Sequence, residues 1–328
     1  MKYVDKVYGE FDITESVLLE LIESPALQRL KNILQGGYGY RGGIAQATRF
    51  EHSMGAMCLL RKYGASLEEQ INGLIHDVSH SAFSHTIDYA IDDVGSEQRQ
   101  CYQDNIFIKF VHDKTNIPEI LKKYNLDVDY VIDEHNFPLQ ETELPELCAD
   151  RIDYSLRDGF GYAVEVREKA KKALVNLMVK DKKWIFPNFE SAKIFAEFFE
   201  YVNRIYYSNL ATAAMYKSSG EGLKYLLKNN LLTLDDLYTD DWQVVEMMKK
   251  IALEDKGFAK HWEKMNNQDK YVNDPDNYEE TIWLKSRAVD PLFLEWDKIK
   301  KISEVDSEWK DILDRESKPK QYFLRYQG

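Results

Sequence analysis

The sequence predicts a mainly α-helical fold with one small β-hairpin and a helical C-terminal region. Three observations predict it. Apolar residues recur at three- and four-residue intervals through most of the chain. A single short stretch, residues 175–186, sets two apolar triplets on either side of a turn. The composition, 44 % apolar and 30 % charged, belongs to a globular chain that can bury a core.

Taken in order, residues 17–30 carry Leu18, Leu21, Ile22, Leu27 and Leu30 at helical spacing. Ser24-Pro25 ends one helix and opens the next, because proline suits a first helical turn. Gly36, Gly37, Gly39, Gly42 and Gly43, with Tyr38 and Tyr40 between them, make a loop. Their spacing is not that of a dinucleotide fingerprint. Residues 52–63 and 66–79 read as helices, the second with a stripe of Leu67, Ile71, Leu74, Ile75 and Val78. Residues 91–100 are polar and read as a loop. Helices follow at 103–114, 118–123 and 144–157. Asp181-Lys182-Lys183 is the hairpin turn between residues 177–179 and 184–186. A long helix is expected over 189–217, its core stripe carrying Ile194, Phe195, Phe198, Phe199, Val202, Ile205 and Tyr206.

After Ser218-Ser219-Gly220 the composition shifts, and five of the six tryptophans lie beyond. This suggests a core over 1–218 and a helical subdomain over 219–328 packed on it, with an edge strand at 321–324.

Several function classes are excluded. With 43 basic and 56 acidic side chains the net charge is −13, which repels a phosphate backbone, so nucleic acid is not an expected partner. No apolar run approaches a membrane span, and the first residues lack the apolar stretch of a secretory signal. Three widely spaced cysteines form neither a disulfide framework nor a zinc knuckle. A reducing cytoplasmic location is the expectation.

Four of the seven histidines, His52, His76, His80 and His85, fall within 34 residues. His76-Asp77 is followed by His80, His85 and Asp88; His76 and His80 would share a helical face. Imidazoles and carboxylates gathered this densely point to a divalent transition metal.

Several ordered motifs then carry a resemblance. Near the N-terminus stand Val7-Tyr8-Gly9 and residues 24–30, followed by Gln35-Gly36-Gly37-Tyr38. Residues 49–55 (RFEHSMG), 76–85 (HDVSHSAFSH) and 149–158 (ADRIDYSLRD) complete the set. Together they resemble the HD-domain phosphohydrolases, and most closely their deoxynucleoside triphosphate triphosphohydrolase branch. The resemblance covers residues 1 to about 160 and implies an HD-domain helical fold. It implies His52, His76, Asp77 and Asp150 as ligands of a divalent ion (Mn, Mg, Fe, Ni, Co or Zn). Such an ion lowers the pKa of water and polarises a phosphoryl oxygen. Arg49 and Arg151 would face the phosphates; Gln35, Tyr154 and Asp158 would face the sugar; Tyr206 would keep the family's aromatic position at the substrate. His80, His85 and Asp88 would surround the attacked phosphate.

Two departures stand out. The branch's further histidine falls on Gln103, which cannot shuttle a proton near neutral pH; Asp104 or His112 could take that role. Residues 195–203 contain no Lys or Arg, and Tyr206-Tyr207-Ser208-Asn209 lacks the branch's lysine, so a substrate with fewer phosphates is an alternative. The expected activity is metal-dependent hydrolysis of a nucleotide phosphoester, with a nucleotide-binding regulator as the second reading. The resemblance also implies a homo-oligomer.

Overall fold

The computed structural model describes residues 1–39, 47–91, 95–161 and 164–328, and it is mainly helical. Tyr40, Gly42 and Gly43 of the glycine cluster lie outside the described residues. An antiparallel hairpin that the sequence analysis does not contain opens the chain: β1 (Lys2–Asp5) and β2 (Gly9–Asp12). Asp5 closes its turn by accepting from the Val7 and Tyr8 N–H groups at 2.8 and 3.0 Å. Next come α1 (Ser16–Ile22) and α2 (Pro25–Arg29), divided where Ser24-Pro25 predicts. Ser24 caps α2, and Pro25 sits in the first turn, where no backbone donor is lost.

Thr48 and Glu51 form a capping box that starts α3 (Arg49–Lys62), a helix buried continuously from His52 to Leu60. Ser66 caps α4 (Leu67–Ile75), which packs along α3. This helix ends at Ile75 and not at Ser79. His76 is its C-cap, so His76 and His80 do not share a helical face. The reason lies far away in sequence: the Arg29 guanidinium takes up the Val78 and His80 carbonyls at 2.8 and 2.7 Å, which stabilises the turn over further helix. The stretch expected as a loop holds the short α5 (Ser96–Arg99). Then follow α6 (Tyr102–Lys114), α7 (Ile117–Lys123) and α8 (Val128–Ile132). The next helix, α9 (Ala149–Gly161), begins later than Leu144 because residues 141–148 form a loop whose Thr142 and Glu146 carbonyls bind Arg151.

After α10 (Val164–Leu174) the predicted hairpin is present as β3 (Met178–Lys180) and β4 (Lys183–Phe186). Asp181 and Lys182 turn with φ of 52° and 57°, the left-handed pair that a two-residue hairpin needs, so Lys183 belongs to the strand. The expected helix over 189–217 is two helices, α11 (Phe189–Val202) and α12 (Leu210–Lys228), separated by a π-helical turn at Asn203–Tyr207. Asn209 caps the second of them.

Beyond α13 (Asp241–Glu254) and α14 (Lys256–Asn266) the C-terminal region is more than helical. It holds β5 (Tyr271–Asn273), β6 (Glu280–Leu284), β7 (Leu292–Glu295), β8 (Lys298–Lys301), α15 (Ser307–Glu316) and β9 (Lys320–Tyr326). The strand expected at an edge, β9, is central in the order β5-β9-β6; its neighbours are too short to read from the sequence. A parallel pairing of β4 with β7 extends the hairpin into a β3-β4-β7-β8 sheet.

Two apolar cores result. One joins the N-terminal helices, α3, α4 and α9 to α11 with Val289, Phe293, Ile302 and Trp309. The other joins Tyr38 and residues 82–90 to α12, α13, α14 and the β5-β9-β6 sheet. Ser218, Ser219 and Gly220 are buried within α12, where a Cβ on Gly220 would stand 2.6 Å from the Tyr89 Cβ. Small residues there permit close packing. The division into 1–218 and 219–328 stays a proposal about folding units, with its border inside a helix.

Candidate metal centre

His52 on α3, His76 at the end of α4 and Asp150 in the first turn of α9 converge on one point. His52 Nε2 lies 2.8 Å from Asp150 Oδ1, and His76 Nε2 lies 3.3 Å from the same oxygen. The two Nε2 atoms are 3.2 Å apart. Their other nitrogens decide the tautomers. His52 Nδ1 is 2.7 Å from Asp153 Oδ2, and His76 Nδ1 is 2.8 Å from the Gly73 carbonyl. Both partners can only accept, so both Nδ1 atoms carry protons. In the neutral rings both Nε2 lone pairs then face each other and a carboxylate. Three electron-pair donors so placed call for a cation among them. Burial alone would lower the His52 pKa, yet its bonds to Asp150 and Asp153 outweigh burial and carry it up to about 10. The donor set therefore fits a divalent metal ion.

Asp77 stands at the margin of this centre. Its Oδ2 is 3.8 Å from His52 Nε2 and pairs with Arg49 Nη1 at 2.9 Å; its Oδ1 is 3.5 Å from His76 Nε2 and 3.3 Å from His80 Nε2. Its role as the fourth ligand remains a proposal.

A cavity of about 1000 Å³ opens beside the centre. Gln35, Arg49, His80, His85, Gln103, Arg151, Tyr154, Asp158 and Tyr206 all line it, with His76, Asp77 and Asp150. His52 is wholly buried behind them. Asp88 does not line the cavity. Its Oδ1 accepts from Ser96 Oγ and the Tyr102 N–H, and its Oδ2 lies 3.4 Å from His85 Nδ1, so it stands behind that ring. Burial lowers the pKa of both His80 and His85 and keeps them neutral; their rings meet edge to face at 5.1 Å. Arg49 also donates to Ser84 Oγ and the Gln35 carbonyl. Arg151 sends Nη1 and Nη2 into the 141–148 loop.

Gln103 is buried and donates to Asp104 Oδ1 at 3.1 Å. Asp104 lines the cavity, and burial pushes its carboxyl up to about 6. His112 pairs with Asp129 at the surface, away from the cavity. A second cavity of similar size, about 1070 Å³, between Tyr38, Phe83 and Trp242, is lined by none of the residues of the metal centre.

Four residues of the site escape the sequence analysis. Asp153 orients His52 and is itself clamped by Arg157 through two bonds of 2.8 and 2.9 Å. Its signal was the 153–157 spacing of an acid and an arginine on one helix. Tyr207 donates to Asp158 at 2.8 Å, whereas the aromatic position was assigned to Tyr206 alone. Lys285 and Arg287 line the cavity from the C-terminal region, and no local motif marks them.

The HD domain family model matches residues 49–158. Uncharacterized protein YdhJ of Bacillus subtilis is 33 % identical over 310 residues, covering 93 % of each chain. Metal-dependent phosphohydrolase cns2 of Cordyceps militaris is 40 % identical over 174 residues, 53 % of this chain and 49 % of that one. Deoxynucleoside triphosphate triphosphohydrolase SAMHD1 of Homo sapiens is 29 % identical over 160 residues, 42 % of this chain and 25 % of that one. Among solved structures, a phosphohydrolase from Bacteroides thetaiotaomicron shares the fold over the full length of both chains, with a TM-score of 0.67 at 20 % identity. No helix among the described residues is long and apolar enough to cross a membrane. With an HD domain over residues 49–158 and a relative alignable over nearly its whole length, the chain belongs to the HD-domain family.

Proposed function

We propose that the protein hydrolyses a (deoxy)nucleoside triphosphate to nucleoside and tripolyphosphate. The observation that carries this reading is the meeting of three metal-binding atoms with a cavity that also presents groups suited to a sugar. A divalent ion held by His52, His76 and Asp150, with Asp77 beside them, would activate water and polarise a phosphoryl oxygen. The chain's own residues supply the rest. Arg49, fixed by Asp77, Ser84 and the Gln35 carbonyl, is a preorganised cation for charge developing on phosphoryl oxygens. Arg151, whose buried Nε has no partner among the described residues, is a second candidate. Gln35 Oε1 is buried with no partner among the described residues and can accept from a sugar hydroxyl. Asp150, Tyr154 and Asp158 share one face of α9, which puts an aromatic ring and a carboxylate next to the centre. Asp104, protonated below about pH 6 and held by Gln103, is placed to donate a proton to a leaving oxygen.

The triphosphohydrolase activity of the SAMHD1 relative supports the triphosphate reading, and the metal-dependent phosphohydrolase cns2 supports phosphoester hydrolysis in general. A cytoplasmic location and a homo-oligomeric state belong to the same proposal, on the cysteine usage and the family resemblance. The test is a phosphorus NMR time course with Mn²⁺-loaded protein, a pool of NTPs and dNTPs, and then nucleoside monophosphates. Tripolyphosphate is the expected product, and His76→Ala is expected to lose metal and turnover together. Orthophosphate or pyrophosphate would assign the centre to another phosphoester. Nucleotide binding with no turnover under several metals would instead favour a regulator, the reading that Gln103 motivates.

A further inference from the structure

The cations of the cavity are unequally matched. Arg49 pairs with Asp77, and Arg151 spends four bonds on the 141–148 loop, Glu141 included. Lys285 and Arg287, in the segment between β6 and β7, line the same cavity, and neither makes an ion pair among the described residues. The Lys285 ammonium makes no hydrogen bond among the described residues either. Lys285 is half-buried in the cavity wall, where an ammonium without a counter-charge is only partly compensated, and a chain with 56 acidic side chains had carboxylates to offer. Burial and the neighbouring Arg287 lower the Lys285 pKa to about 8, against the pull of Asp104, so it stays charged near neutral pH. Arg287 is held by neutral groups only: Nη2 donates to Gln100 Oε1 at 2.8 Å and Nη1 to the Lys285 carbonyl at 3.4 Å.

The segment is rigidly placed. Lys285 and Arg287 lie two residues apart and line the cavity; Ser286 between them is buried on the other side. Asn203, wholly buried at the start of the π-helical turn, donates to Ser286 Oγ and Glu316 Oε2 at 3.1 Å each. It accepts from the Arg287 N–H at 3.2 Å. One side chain thus joins the segment bearing the cations to the turn bearing Tyr206 and Tyr207. Unusual helical turns of this kind recur at functional sites.

We propose that Lys285 and Arg287 are the clamp for the outer phosphates of a nucleoside polyphosphate, filling from the C-terminal region the position that residues 195–203 leave without a cation. The inference rests on the nucleotide reading above and deepens it: the preferred substrate carries two or three phosphates, and the shorter-phosphate alternative falls away.

The test is calorimetric titration of the full chain with tripolyphosphate and with orthophosphate, both in excess magnesium, for the wild type, Lys285→Met and Arg287→Gln. Metal content and thermal melts are recorded alongside. Each substitution is expected to weaken tripolyphosphate binding by about 10- to 100-fold, the worth of one charged hydrogen bond, with orthophosphate affinity and bound metal unchanged. Should Lys285→Met fail to fold, Arg287→Gln alone decides. Wild-type affinity for tripolyphosphate in the folded variants overturns the proposal, as does a wild type that binds tripolyphosphate no better than orthophosphate. Loss of the clamp effect is separable from failure of the nucleotide reading, which shows as nucleotides left intact in the NMR experiment while tripolyphosphate binding still depends on both cations.

Discussion

His52 has both ring nitrogens committed, one to Asp153 and one to the shared centre. Metal-binding imidazoles depend on such partners for tautomer and orientation. Asp153→Asn is therefore expected to weaken metal binding by about 10- to 100-fold, read as metal retained against a graded chelator. Retention equal to wild type would show that His52 needs no such partner. Asp104 makes a second prediction. Burial raises its carboxyl to about 6, so the protonated, donating form is full below that pH and is lost as pH rises through it. Turnover should show a limb falling above about pH 6 that is missing in Asp104→Asn, with kcat lower by about 10²- to 10⁴-fold. A wild-type pH profile in the variant would remove Asp104 from the reaction. These residues were unequally legible. His76-Asp77 and the 149–158 motif announce themselves by residue type, while the sequence offers Asp104 and His112 alike, and only the fold decides between them by turning Asp104 into the cavity and leaving His112 outside.

At the scale of elements, the strongest constraint lies between α3 and α9. Asp5, Asp153 and Arg157 form a wholly buried charge network there, with Arg157 only 1 % exposed. Gly55 makes room for it: a Cβ at that position would stand 1.8 Å from Arg157 Nη2 and 2.2 Å from Asp153 Oδ1. The guanidinium has no exposed space into which to move. Gly55→Ala should cost about 1–3 kcal/mol of stability, measured by chemical denaturation, and should loosen metal binding through Asp153. A variant as stable as wild type, with metal retained, would mean that the network tolerates displacement. Helix starts were legible at the local caps Ser24 and Ser66, whereas the equally local caps Thr48 and Asn209 were missed, the first helix being expected from His52 and the second inside one long helix. Helix ends set from a distance were not legible. Arg29 ends α4 through two carbonyls, and nothing near Ile75 signals it. The π-helical turn is hidden for the same reason, since the partners of Asn203, at Ser286 and Glu316, come from the far end of the chain.

The whole molecule is built on two cores that both draw on the C-terminal region. Val289, Phe293, Ile302 and Trp309 complete the core beneath the metal centre, and β7 pairs with β4. A chain ending at residue 218 is accordingly expected to lose cooperative melting and metal retention. Calorimetry on that fragment would show it, and a sharp transition with bound metal would establish residues 1–218 as an independent unit. The sequence disclosed the ligand-bearing half because its chemistry is compressed into short motifs. It disclosed little of the other half, whose contribution consists of single residues brought in by long-range pairing. The segment holding Lys285 and Arg287 also sets an order in time. A ribosome makes the histidines first and these two cations much later, so on the proposed clamp a nascent chain lacks, until synthesis is nearly complete, both the core beneath its histidines and the wall for a polyphosphate tail.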